Sequence, residues 1–200
     1  MKLVIWLLGI ALTTTTLVAT PAIAQSNRAG VNQEESASLG RNLQDGEILL
    51  RGSKGKYIGY TIVRGNIQTL WSVLTDYDNF EKYMPNVVES QLLESRGNQK
   101  IFEQVQNFQI LFFSRRTKVK TMVTEAYPKL IKFKVLEGEV KSLEGSWKIE
   151  QLAPDKFLVI HQVTVVPDSK LGVNSSLFYS IYEDAIEKTL RAISKETARR

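Results

Sequence analysis

Between Pro85 and Val166 apolar and polar residues change places at nearly every step. Turn signals at Arg96-Gly97-Asn98, Tyr127-Pro128-Lys129, Glu137-Gly138 and Ala153-Pro154-Asp155 divide the stretch into strands. Thr117, Val119, Thr121 and Val123 fall opposite Lys118 and Lys120. In the same way Ile131, Phe133 and Val135 oppose Lys132 and Lys134, and Trp147 and Ile149 oppose Lys148 and Glu150. This is the pattern of an antiparallel sheet with one dry and one wet face. Ahead of it, Ile48-Leu49-Leu50 and Tyr57 to Val63 flank Gly52-Ser53-Lys54-Gly55, the arms and turn of a hairpin.

Helical spacing takes over twice. Ile67, Leu70, Trp71 and Leu74 share one face of a short helix running to about Asp76, capped at its start by Gly65-Asn66. A second helical turn carries Asp78, Phe80, Tyr83 and Met84, and Pro85 ends it because a residue before proline is pushed out of the helical region. The longest helical pattern runs from Leu171 to Ala198. Pro167, Asp168, Ser169, Gly172, Asn174, Ser175 and Ser176 supply turn and cap chemistry, and Leu177, Phe178, Ile181, Tyr182, Ala185, Ile186, Leu190 and Ile193 follow at three- and four-residue steps. These positions sweep roughly half the helix circumference, wider than the roughly 100° stripe of a helix on a flat core, so the helix needs cover on more than one side. The order of elements predicts an α+β domain: a curved antiparallel sheet wrapped around a long C-terminal helix, with two short helices after the first strands.

A curved sheet and a half-apolar helix can enclose space between them, and concave apolar space is where small molecules bind. Phe102, Gln104, Gln106 and Phe108 share one strand face, Thr117 and Thr121 put hydroxyls on the dry face of the next, and Tyr182 adds a phenol from the helix. The candidate cavity residues are Phe80, Met84, Phe102, Gln104, Thr117, Thr121, Phe133, Trp147, Phe178 and Tyr182. Two readings stand for Phe80 and Met84: an apolar lid, or plugs at the end of the core. Internal hydrogen bonding is the alternative use of the amides and hydroxyls.

The N-terminus adds a location. Met1-Lys2, an apolar run from Leu3 to Leu12, and Pro21-Ala22-Ile23-Ala24 before Gln25 read as an export signal spanning residues 1–24, cleaved after an A-x-A site. An uncleaved membrane anchor is the alternative. Export places the protein in a periplasm, a lumen or the extracellular space. Residues 25–44 are rich in Asn, Gln, Ser and Glu and predict a flexible linker, leaving 45–200 as the folded domain. With no cysteine, a disulfide framework, a thiolate metal site and a cysteine nucleophile are excluded. The net charge of +5 is mild, and its lysines alternate along strands as a solvated face does.

Leu70-Trp71-Ser72-Val73-Leu74-Thr75-Asp76-Tyr77, followed by Phe80, Tyr83 and Met84-Pro85-Asn86-Val87, resembles the START-like (SRPBCC) superfamily, and within it the coenzyme-Q-binding and polyketide cyclase/dehydrase group. Leu143-Glu144-Gly145-Ser146-Trp147 is similar to that group's strand-entry pattern, in which glycine precedes a tryptophan-bearing strand. The resemblance covers about Glu47 to Lys195. It implies a helix-grip fold, a sheet of about seven strands gripping the C-terminal helix around a hydrophobic cavity. It also implies a ligand such as a lipid, a quinone or another apolar molecule.

Acid–base chemistry has few candidates. His161 is the only histidine and lies among Phe157, Val159, Val163 and Val165, the setting of a satisfied core residue. Glu103 and Glu125 lie in strands, while Asp76 and Asp78 flank a helix junction and suit capping. No metal-ligand spacing, phosphate loop or nucleophile elbow is present in the sequence, and no catalytic residue, metal or cofactor is expected. Alternation fails across Ile110 to Phe113, beside Arg115 and Arg116. Either this strand buries all four apolar groups, or Phe112, Phe113, Arg115 and Arg116 form a greasy, basic tip suited to an anionic membrane surface.

The expected function is non-catalytic binding and carriage of a lipid or isoprenoid quinone by a monomer. One alternative is a cyclase or dehydratase on polyketide-like substrates, using His161 or Glu103. Another is a protein-interaction module, since a branch of the superfamily associates with ribosomes. Spread-out lysines without an aromatic stacking platform argue against nucleic acid.

Overall fold

The computed structural model describes residues 33–110, 113–169 and 172–200. The expected export signal lies outside them, as does Phe112. Eight antiparallel strands form one open sheet: β1 (Ile48–Ser53), β2 (Lys56–Arg64), β3 (Val87–Arg96), β4 (Gln99–Ile110), β5 (Phe113–Ala126), β6 (Leu130–Glu137), β7 (Val140–Ala153) and β8 (Lys156–Pro167). Their order across the sheet is β1-β2-β8-β7-β6-β5-β4-β3, so β8 returns to pair with β2, and every other pair of neighbours is joined by a hairpin. Helix α2 (Ile67–Thr75) and a 3₁₀ turn (Phe80–Lys82) connect β2 to β3 at the far edge, and the long α3 (Ser175–Arg199) packs on the inner face.

The helix ends obey local chemistry. The Asn66 side chain accepts from the Thr69 amide at 2.7 Å, and the Asn174 side chain accepts from the Leu177 amide at 2.8 Å, each satisfying an amide that the first turn leaves free. At its far end α3 is tied down by charge. Glu196 accepts from the guanidiniums of Arg199 and Arg200, and Arg200 also reaches Asp76 at 2.7 Å, fixing the end of α3 to the end of α2.

Two features depart from the sequence expectation. The break in alternation at Ile110–Phe113 is a chain reversal: Ile110 pairs with Phe113 and Phe108 with Arg115, so what reads as one strand passing between faces is the β4–β5 hairpin. This accounts for eight strands where about seven were expected.

The second departure lies in residues 25–44. Gln33–Asn42 forms a helix, α1, rather than a flexible linker. Ser36, Leu39 and Leu43 are buried, at i, i+3 and i+7, a single helical stripe within a polar segment. Gly40 lies against Leu152 of β7, while Glu35 pairs with Arg51 of β1. Four neighbouring strands span about 14 Å at the usual spacing, and ten helical residues span about 15 Å, so α1 crosses the outer face from β7 to β1. Under that crossing Tyr60, Ile62, Leu158 and Ile160 are 1%, 0%, 0% and 3% exposed. On β2 and β8 the sheet is therefore dry on both faces, which explains why these strands read as nearly continuous apolar runs.

Candidate ligand-binding cavity

The inner face of β4 to β8 curves away from the first half of α3 and leaves a cavity of about 300 Å³. Strand alternation builds its walls. From β4 come Phe102, Gln104, Gln106 and Phe108, from β5 Arg115, Thr117, Val119, Thr121 and Val123, and from β6 Ile131, Phe133 and Val135. Trp147 of β7 and His161 of β8 face each other in register, and Phe178, Ile181 and Tyr182 of α3 form the roof. All ten sequence-predicted cavity positions line this one space.

Glycine shapes the aromatic side. A Cβ at Gly145 would sit 2.7 Å from the Phe133 ring and 2.1 Å from the Gln162 carbonyl oxygen, so only a residue without a side chain lets Phe133 lie across β7. Next to it the Trp147 and His161 rings stack with centroids 3.7 Å apart and planes 15° from parallel, and Phe133 lies 5.6 Å from His161.

One end is closed by rings. Tyr77 stacks on Phe102 at 4.8 Å, and Phe80 meets Tyr77, Phe102 and Tyr83 edge-on at 5.6 to 5.9 Å. Phe80 is only 5% exposed and Met84 is half-buried. The Tyr77 hydroxyl donates to Glu125 at 2.7 Å; burial, then the carboxylate, push this phenol up out of the range in which it ionises. The other end is less covered. There Arg115, expected at a membrane-facing tip, lines the cavity and donates to Glu139 at 2.7 Å, with side chains 35% and 40% exposed. Arg116, its neighbour on the strand, points to the opposite face; the Phe113 side chain, like Phe112, lies outside what the structure describes.

The acid–base candidates separate. Glu103 faces out and pairs with Lys118 at 2.8 Å, away from the cavity. His161 faces in, and its burial lowers it to about 3, against a weak upward pull from a hydrogen bond to the Ser146 backbone. It is not the satisfied core histidine expected, because its buried Nδ1 has no hydrogen-bond partner. Tyr182 stacks near Phe178 at 5.9 Å, and burial raises its phenol as well. Gln106 donates to Gln104 at 3.2 Å, partly meeting the amides' own needs. Sequence reasoning missed the Arg115–Glu139 and Tyr77–Glu125 pairs, whose members are 24 and 48 residues apart and meet only through the fold.

Residues 64–193 match the family model described as polyketide cyclase / dehydrase and lipid transport. The chain belongs to this family. Among solved structures, it is similar to a protein of Thermus thermophilus, with a TM-score of 0.62 and 12% identity over 71% of this chain and 96% of that one. It is similar also to the Zhui aromatase/cyclase from a Streptomyces species, with a TM-score of 0.61 and 14% identity over 76% and 96%. A STAR-related lipid transfer protein from Xanthomonas axonopodis gives a TM-score of 0.61 and 15% identity over 76% and 92%. A search of curated proteins gives no match. At these identities the structural likeness speaks to the fold: this member of the polyketide cyclase/dehydrase and lipid transport family has the helix-grip architecture, an open sheet around a long C-terminal helix.

Proposed function

We propose that the cavity binds one apolar molecule, a lipid or an isoprenoid quinone, and carries it without altering it. One observation carries this reading: the wall is mostly hydrocarbon and aromatic ring, and its histidine and buried phenols are held away from protonation changes near neutral pH. His161 is neutral there, the Tyr77 and Tyr182 phenols keep their protons, and Arg115 and Glu139 neutralise each other. General acid–base catalysis requires a group that exchanges a proton near the working pH. Burial of apolar surface supplies affinity, at about 25 cal/mol per Å² before ordering costs. The amides and threonine hydroxyls of β4 and β5 orient the polar end.

Purified protein is expected to speed transfer of a fluorescent single-chain lipid or a short-chain quinone between vesicles. Phe133→Glu and Tyr182→Glu, which put charge into the wall, are expected to abolish that transfer while keeping the circular-dichroism spectrum. Transfer no faster than without protein contradicts the carrier reading. Delivery at an anionic bilayer through Phe112, Phe113 and Arg116 belongs to the same proposal, and Phe112→Ser with Phe113→Ser is expected to weaken liposome binding. So does export, which predicts a mature N-terminus at Gln25 when the protein is sequenced from its host.

A cyclase or dehydratase reading is favoured by one contact, the Tyr77–Glu125 hydrogen bond at the closed end, which holds a carboxylate on a phenol of the wall. On that reading Tyr77→Phe stops turnover of a polyketide-like substrate without preventing its binding.

A further inference from the structure

The polar groups of the cavity are not spread evenly along it. On β4 and β5 the register runs from Phe102 opposite Thr121 to Phe108 opposite Arg115, about 20 Å of strand. At the first end stand Tyr77 and Phe80, apolar apart from a phenol that already donates to Glu125. At the other, Gln106 lies opposite Thr117, and Arg115 meets Glu139. Among the described residues that line the cavity, Glu139 is the only carboxylate and Arg115 the only arginine or lysine. Their side chains are 40% and 35% exposed, so a solute entering at this end reaches both.

The pair joins Nε to Oε2 at 2.7 Å. A guanidinium only donates hydrogen bonds and an ionised carboxylate only accepts them. An anionic head must therefore face or displace Glu139 to bind the arginine, and a cationic head meets the same obstacle at Arg115. A hydroxyl accepts from the one and donates to the other with the pair intact. The cavity, about 300 Å³, is at the low end of the roughly 300–1,000 Å³ of small-molecule sites, which suits a compact or single-chain body.

We propose that the Arg115–Glu139 pair selects the polar end of the bound molecule: it holds a neutral, hydroxyl-bearing head at the less covered end, with the apolar body directed toward Tyr77 and Phe80, and it disfavours a carboxylate or phosphate head. This deepens the reading of the cavity as a binding site for an apolar molecule and rests on it.

Three probes separate the alternatives. 1-Decanol and 1-methoxynonane are isomers that differ in whether their oxygen can donate, and decanoate puts an anion in place of the hydroxyl. Affinities are read by displacement of the neutral fluorophore N-phenyl-1-naphthylamine. 1-Decanol is expected to bind about tenfold more tightly than 1-methoxynonane, the net effect of one hydrogen bond to a charged group, and more tightly than decanoate. Glu139→Gln leaves the arginine charge unbalanced and is expected to raise the affinity for decanoate relative to 1-decanol about tenfold, and Arg115→Gln to lower it by about as much. Opposite movement in the two variants is a signature of charge that a loss of packing does not produce, and the comparison of isomers needs no variant to fold. Equal affinities for the isomers, decanoate binding the unsubstituted protein as tightly as 1-decanol, or a ratio that moves the same way in both variants overturns the inference and leaves the cavity reading standing. A protein that binds neither the fluorophore nor, by calorimetry, any of the three probes overturns the cavity reading and the inference with it.

Discussion

Along α3, Ile186, Leu190 and Ile193 are 4%, 0% and 0% exposed, whereas Phe178, Ile181 and Tyr182 in its first half, equally apolar, are only half-buried. The second half lies on β2, where Gly59 allows the closest approach: a Cβ there would come within 2.6 Å of Leu190. The first half faces Phe133, Trp147 and His161 across open space. The same apolar stripe thus builds a solid core at one end and a cavity roof at the other. What decides between them is the sheet opposite, close where glycine lies beneath the helix and distant where rings line a curved wall.

The contrast breaks most sharply by truncation. Leu190→Ala is expected to cost about 3 kcal/mol, the usual loss for a fully packed leucine. Phe178→Ala is expected to cost only about 1 kcal/mol, because it enlarges a space that already exists. Urea unfolding of both variants measures this, and equal losses would mean that both halves are packed alike. Gly59→Ala tests the close approach, with about 2 kcal/mol expected as α3 is pushed off β2.

Acid sharpens the comparison differently. His161 sits at about 3 in the folded protein against an ordinary 6.5, so below 6.5 the unfolded chain takes up a proton that the folded chain refuses. Its contribution is fully present above pH 6.5 and is lost as pH falls toward 3. Glu196, held down to about 2 first by Arg199 and then by Arg200, adds a separate loss only as pH falls below 4.5. Melting temperature between pH 7 and 5 is therefore expected to fall in the unsubstituted protein and to stay level in His161→Phe. On the outer face, Leu39→Ala is expected to cost about 1 kcal/mol, since α1 covers a smaller apolar layer. Lys118→Ala, which removes a solvated pair with Glu103, is expected to leave the melting temperature unchanged.

Much of this architecture is legible in the residue pattern, for identifiable reasons. Period-two alternation assigns Phe102, Gln104, Thr117, Thr121, Phe133 and Trp147 to one face, and one face of a curved sheet is one wall. Asn66 and Asn174 mark their helices because an N-cap side chain is a local device. The β4–β5 reversal escaped because it lacks Gly, Pro or Asn between Ile110 and Phe113 and shows only as broken alternation. Helix α1 escaped because its polar composition outweighs Ser36, Leu39 and Leu43, although the apolar runs of β2 and β8 already required something to cover their outer faces. The pairs Arg115–Glu139 and Tyr77–Glu125, and the missing partner of His161, depend on three-dimensional proximity that no local spacing encodes.

On the proposed function, the first half of α3 roofs a space that holds an apolar molecule. Native mass spectrometry of protein purified gently from its own host, with organic extraction of what leaves it on denaturation, tests this most directly. One apolar molecule per chain is expected, absent from Tyr182→Glu prepared in the same way. A protein that arrives empty and takes up neither lipid nor quinone when offered them would contradict it.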